Sequence, residues 1–157
     1  FDHRIGTTRG SYHEIQVPVT TLDKVMARHG VPYYLKLDIE GMDFPAVQSL
    51  RSVSVKPTHL SMENGQKHMI DELFEQGYRR FKFVNQAKIH EIRLLPPSRE
   101  GQYVDHAFPR GASGPFGDDT AGPWLDREAV TAQSAAYWSN PNRDANIHGW
   151  YDLHATV

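Results

Sequence analysis

In the segment YYLKLDIEG, residues 33–41, Lys36, Asp38 and Glu40 alternate with Leu35, Leu37 and Ile39. A strand turns successive side chains to opposite faces, so this spacing sets three charges on one face and three aliphatic groups on the other. Glu63 is placed in a similar way, at the end of the short run THLSMEN (58–64) and just before the turn-forming pair Asn64–Gly65. If the two runs are neighbouring strands, three carboxylates and one ammonium meet around one crevice. Carboxylates so grouped suit general-base work, ligation of a hard metal ion, or hydrogen bonding to ligand hydroxyls. The plainer reading is an ion pair, Lys36 with Asp38 or with Glu40, although one lysine does not neutralise both acids. Asp43 reads as a helix cap.

Other candidates carry less chemistry. None of the nine histidines forms an H-x-H or H-E-x-x-H pair, so no metal ligand set is assigned. Asp152 and His154 share a strand face and read as a core or surface pair. The stretch GASGPFG (111–117) has the glycines of a phosphate loop without its context, since Pro109 precedes it and Pro115 interrupts it. No G-x-S-x-G nucleophile turn is present. Arg79, Arg80 and Lys82 read as a solvated strand end, and with Tyr78 and Phe81 they give only a faint signal for nucleic acid.

The elements that must position these residues follow from periodicity. A short, proline-bearing strand is expected over 12–19. A helix with a capping-box-like start at Thr20 and Asp23 follows, stopped by Gly30 and Pro32. Residues 33–40 form a strand, and a helix with Pro45 in its first turn buries Phe44, Val47 and Leu50. Strand 58–64, a helix through Met69, Ile70, Leu73 and Phe74 closed by Gly77, and strand 78–84 complete a β-α-β rhythm. That rhythm predicts a parallel α/β sheet with helices on its faces. Residues 96–123 are rich in Gly and Pro and lack either period, so they read as an irregular, lid-like excursion whose aromatic residues favour packing. A helix from Asp126 to about Tyr137, a loop SNPNRDANIHG and a last strand WYDLHATV close the chain.

With 157 residues, 39% hydrophobic and 23% charged, the chain is one α/β domain over 1–157. A formal charge of -2 gives no electrostatic argument for nucleic acid or an anionic membrane. The absence of cysteine excludes disulfides and permits a reducing compartment, so the expected location is cytoplasmic. No apolar stretch has the length of a membrane span.

The segment VPVTTLDKVMARHGVPYYLKLDIEGMDFPAVQSL followed by HLSMEN resembles the FkbM-type methyltransferases, a branch of the S-adenosylmethionine-dependent Rossmann-like enzymes. Thr20-Thr21-Leu22-Asp23, the K-x-D-x-E-G core at Lys36–Gly41 and Glu63 match in order and spacing, and the likeness covers about residues 15–85. It implies a Rossmann-like sheet, incomplete at its N-terminus, ended by an antiparallel pair at 78–84 and 150–156 with the long insertion between them. The family's glycine-rich cofactor turn would lie upstream of Phe1, which makes this chain the carboxyl-terminal portion of such an enzyme. It further implies S-adenosylmethionine as cofactor and O-methylation of a carbohydrate, lipid or secondary-metabolite hydroxyl. Asp38 would lie near the transferring methyl or the cofactor's amino-acid end. Glu40 and Glu63 would act as acceptor-side base or hydroxyl ligands, Lys36 would pair with or tune them, and 96–123 would close over the acceptor. An open sheet edge would favour self-association. The alternatives are a non-catalytic α/β module binding a partner or sugar through the aromatic lid, and metal-assisted hydrolysis by Asp38, Glu40 and Glu63.

Overall fold

A computed structural model describes residues 15–142 and 150–157. Helix α1 (Leu22–His29) leads into β1 (Tyr34–Leu37), α2 (Asp43–Ser49) and β2 (His59–Glu63). Then come α3 (Lys67–Glu75), β3 (Arg80–Asn85), α4 (Arg127–Trp138) and β4 (Tyr151–Thr156). The four strands make one sheet in the order β1-β2-β4-β3. β1 runs parallel to β2, while β4 enters antiparallel between β2 and β3. The expected all-parallel sheet is therefore a mixed one, and 78–84 with 150–156 do form an antiparallel pair.

The register explains why polar and apolar residues alternate along every strand. Leu35, Leu60, Ala155 and Phe81 form one cross-strand row, and Leu37, Met62, Leu153 and Phe83 form another on the same face. These rows pack with Val47, Leu50, Ile70, Leu73 and Val130 from the helical side in one core. The opposite face carries Tyr34, His59, Thr156 and Arg80 in one row and Lys36, Ser61, His154 and Lys82 in the next. Helices on both faces were expected, but the polar face is covered by the irregular segment after β3. Phe116 stacks on Tyr34 at 4.3 Å, and the Lys82 ammonium donates to the carbonyls of Gly117 (3.1 Å) and Thr120 (2.6 Å). Lys82 also lies 4.5 Å from the centre of the Trp124 ring. It is buried, not solvated as its charge suggested; Arg80 remains exposed.

Three local expectations are corrected. Residues 15–19 form no strand and pair with none among the described residues, consistent with Pro18 lacking an N–H; residues 12–14 lie outside the described residues. Helix α1 begins one residue later than expected, with Thr21 as N-cap and no side-chain cap bond, so a Thr20–Asp23 capping box does not form. Asp43 is not a cap either: Met42 is the N-cap of α2, and the buried Asp43 carboxylate accepts the Ile39 N–H at 3.2 Å, tying down the turn that follows β1. The helix expected from Asp126 is found, with the Asp126 side chain accepting the Ala129 N–H at 2.8 Å.

Candidate functional site

Strand β1 stops at Leu37, three residues short of the expected end. Lys36 and Asp38 fall where extended alternation puts them, but Glu40 lies in a turn with φ of 51° and Gly41 follows at 92°. The left-handed backbone at Glu40 breaks the alternation, so its place near the acids is set by the turn and not by the strand. Asp38 and Glu40 are exposed and Lys36 is partly buried.

Glu63 ends β2, and Asn64 then turns the chain with φ of 70°. Directly across the antiparallel ladder from Glu63 stands Asp152 of β4. The Lys36 ammonium reaches over β2 to Asp152 Oδ2 at 2.6 Å, so the lysine pairs with neither of its neighbours in sequence. Asp152 is 1% exposed, and its other oxygen has no hydrogen-bond partner among the described residues. Beneath this pair Tyr34 and Ser61 join their hydroxyls at 2.6 Å.

The electrostatics follow from the geometry. Burial pushes the Glu63 carboxyl up, the charges of Asp38, Asp152 and Glu40 add to that, and Lys36 opposes it. Burial also raises Asp152, against the Lys36 hydrogen bond, with Asp38 and Asp43 raising it further. Asp38, Glu40, Glu63 and Asp152 thus act around a single lysine, and the half-buried Glu63 is held readier to take a proton than an ordinary glutamate. His154, in the row between Ser61 and Lys82, is driven down to about 3, chiefly by burial, so it stays neutral. Among the described residues no three His, Asp or Glu side chains are grouped to hold a metal ion, which leaves metal-assisted hydrolysis without a ligand set there.

Asp152 is the member of this charged cluster that a reading of charges along the chain misses. Its signal was the alternation in WYDLHA, which put Asp152 and His154 on one face without revealing which face of which neighbour they would meet. The segment 96–123 also lies differently from expectation. Its packed residues meet the amino ends of β1 and β2: Phe116 lies on Tyr34, and Glu100 sits 2.7 Å from the Tyr33 hydroxyl and 3.4 Å from His59. The acids are at the other end of those strands.

The chain is a mixed α/β protein whose acids gather where the parallel strands β1 and β2 end, the carboxyl rim at which open α/β sheets usually bind ligands. A family model described as Methyltransferase FkbM domain matches residues 2–80, half of the chain, and the chain belongs to that family. No curated protein and no solved structure matches. The matched span contains Lys36, Asp38, Glu40 and Glu63; Asp152 lies beyond it.

Proposed function

We propose that this protein is an S-adenosylmethionine-dependent methyltransferase that methylates a hydroxyl oxygen of a carbohydrate, lipid or secondary-metabolite acceptor, on a Rossmann-like sheet. Family membership supports the reaction class, and the observation that carries the site is Glu63, half-buried and proton-seeking beside the Lys36–Asp152 pair. The donor set suits the cofactor: four carboxylates against one ammonium make a negative rim that complements a sulfonium and an amino group. When bound, S-adenosylmethionine supplies an electrophilic methyl whose bond to sulfur breaks as the new bond to oxygen forms, leaving a neutral thioether.

This chain's residues supply the rest. Asp38, exposed at the rim, is placed to hold the cofactor's cationic end. Glu63 accepts a hydrogen bond from the acceptor hydroxyl and takes its proton as the oxygen is alkylated. Lys36 and Asp152 are positioning residues: the pair fixes the floor against which Glu63 stands, its two charges offset each other, and Asp152 is engaged by Lys36 instead of competing as a free base. Alignment of acceptor and methyl supplies most of the rate, and a positioned base adds about 10²–10⁴-fold.

Calorimetric titration of S-adenosylmethionine into the full-length gene product tests the reading; a folded protein that gives no heat overturns it. Glu63→Gln should lower turnover by at least about 10²-fold, and Asp38→Asn should mainly weaken cofactor binding. The binding-module alternative loses support because Phe116 and Trp124, two of the lid's aromatic residues, pack on Tyr34, His59 and Lys82.

A further inference from the structure

Asp152 Oδ1, His154 Nε2 and both polar atoms of the Gln86 amide are buried without a hydrogen-bond partner among the described residues. The three residues are 1%, 2% and 3% exposed respectively. Strand pairing sets them side by side on the polar face of the sheet. Asp152 and His154 are two positions apart on β4 and so share that face. Val84 stands directly across from Asp152, and the ladder continues one step past β3, where the Gln86 N–H donates to the Trp150 carbonyl at 2.8 Å. Gln86 is therefore the diagonal neighbour of Asp152, at a spacing that long side chains reach across. Ser61 faces His154 from β2, and the hydroxyl it shares with Tyr34 keeps a further bonding position.

Buried polar atoms are nearly always hydrogen-bonded, so several orphans at one place mark a bound polar group. We propose that Gln86, Asp152 and His154 enclose a small cluster of internal water behind the Lys36–Asp152 pair. The chemistry of the three side chains selects water. Asp152 Oδ1 and the Gln86 amide oxygen need donors, whereas the Gln86 NH2 needs an acceptor, so the occupant must both give and accept hydrogen bonds. An anion would meet the Asp152 carboxylate. A metal cation would meet the ammonium groups of Lys36, already on Asp152 Oδ2, and of Lys82, which stands across from His154. Buried waters make about three hydrogen bonds to atoms that have no other partner, which is what these side chains offer. Water on one Asp152 oxygen and Lys36 on the other complete its hydrogen bonding, and the floor beneath Glu63 is held from both sides. The inference does not depend on the methyl-transfer reading, since it concerns only groups of the folded chain.

Water-selective NMR on the full-length gene product tests this. Cross-relaxation from water to the carbon-bound protons of the His154 ring and the Gln86 side chain, which do not exchange with solvent, should carry the sign of long-held water, opposite to that of surface hydration. Gln86→Leu replaces the amide by an apolar group of similar size and should remove most of the water signal at His154. A crystal structure of the same protein gives a reading that does not depend on the variant folding. Ordered water is expected within about 2.7–3.2 Å of Asp152 Oδ1 and of the Gln86 amide. A direct hydrogen bond between Gln86 and Asp152, or an ion in that place, overturns the proposal. So does a His154 ring that shows no long-held water, or one whose signal is unchanged in folded Gln86→Leu.

Discussion

The Lys36 ammonium and the Asp152 carboxylate, 116 positions apart in the chain, meet at 2.6 Å over the middle of the sheet. Because Asp152 is buried and Lys36 only partly so, the loss falls unequally on the two partners. Lys36→Met leaves a buried carboxylate without its cation and should destabilise the fold by about 3 kcal/mol, the low end of the range for broken buried pairs. Asp152→Asn should cost less, since its partner can turn to water. Urea unfolding of both variants and of the double variant measures the coupling; an additive result would mean that the pair is incidental.

Acid should weaken the protein through His154. In the folded state burial holds its pKa near about 3, whereas the unfolded chain takes up a proton around 6.5. Stability is therefore fully present above about 6.5 and is lost as pH falls toward the folded value. Lys36, Lys82 and His59 all disfavour the imidazolium, and Asp152 on the same strand face is engaged by Lys36. Between pH 6.5 and 5 the wild type should lose roughly 1–2 kcal/mol that His154→Gln does not lose. That window lies above the titration of Asp71 and Glu72, whose carboxyls are held low by Lys67 and Arg51 respectively. Equal slopes for the two proteins in denaturation at stepped pH would refute the assignment.

Lys82 fastens the segment after β3 to the sheet. Lys82→Met keeps most of the stem but takes the ammonium from the Thr120 carbonyl and leaves the Gly117 carbonyl with only the Thr120 N–H, at about 1–3 kcal/mol. Trypsin cleavage at Arg99 and Arg110 should then accelerate before global unfolding does. Unchanged cleavage at both sites would show that the segment is held by other contacts.

Gly65 has no room for a side chain. A Cβ there would come 2.8 Å from Phe83 Cε2 and 2.9 Å from Leu153 Cβ. Gly65→Ala should cost about 1–3 kcal/mol through overpacking. Adding Phe83→Leu should recover only part of it, because the Leu153 contact persists. Thermal melts of the single and double variants decide this; a neutral Gly65→Ala would mean that the strand end shifts freely.

Much of this architecture was legible because period and punctuation are local. Gly77, with φ of 106°, marks the end of α3, and Asp126 caps α4 where the pattern breaks. Lys36, Asp38 and Glu63 are brought to one rim as their strand positions imply. What was not legible depended on partners distant in sequence. The strand order that sets Asp152 opposite Glu63 is a property of β4 pairing, and nothing near residue 152 encodes which strands it joins. Lys82 has the composition of a surface residue, and two carbonyls some 35 and 38 positions away, with the Trp124 ring, make its burial tolerable. Glu40 failed for a local reason: a five-residue turn tied by Asp43 overrode the strand period.

The insertion of β4 between β2 and β3 has a consequence for assembly. Until Tyr151–Thr156 have been synthesised and threaded into the gap, β2 and β3 have no hydrogen-bonded contact with each other, and Lys36 has no counter-ion from the far end of the chain. Loop closure over so long a separation is slow. Chains still being translated should therefore hold the rim acids apart, and the site should come into being in a single late step, when one strand zips shut the sheet and charges its floor together.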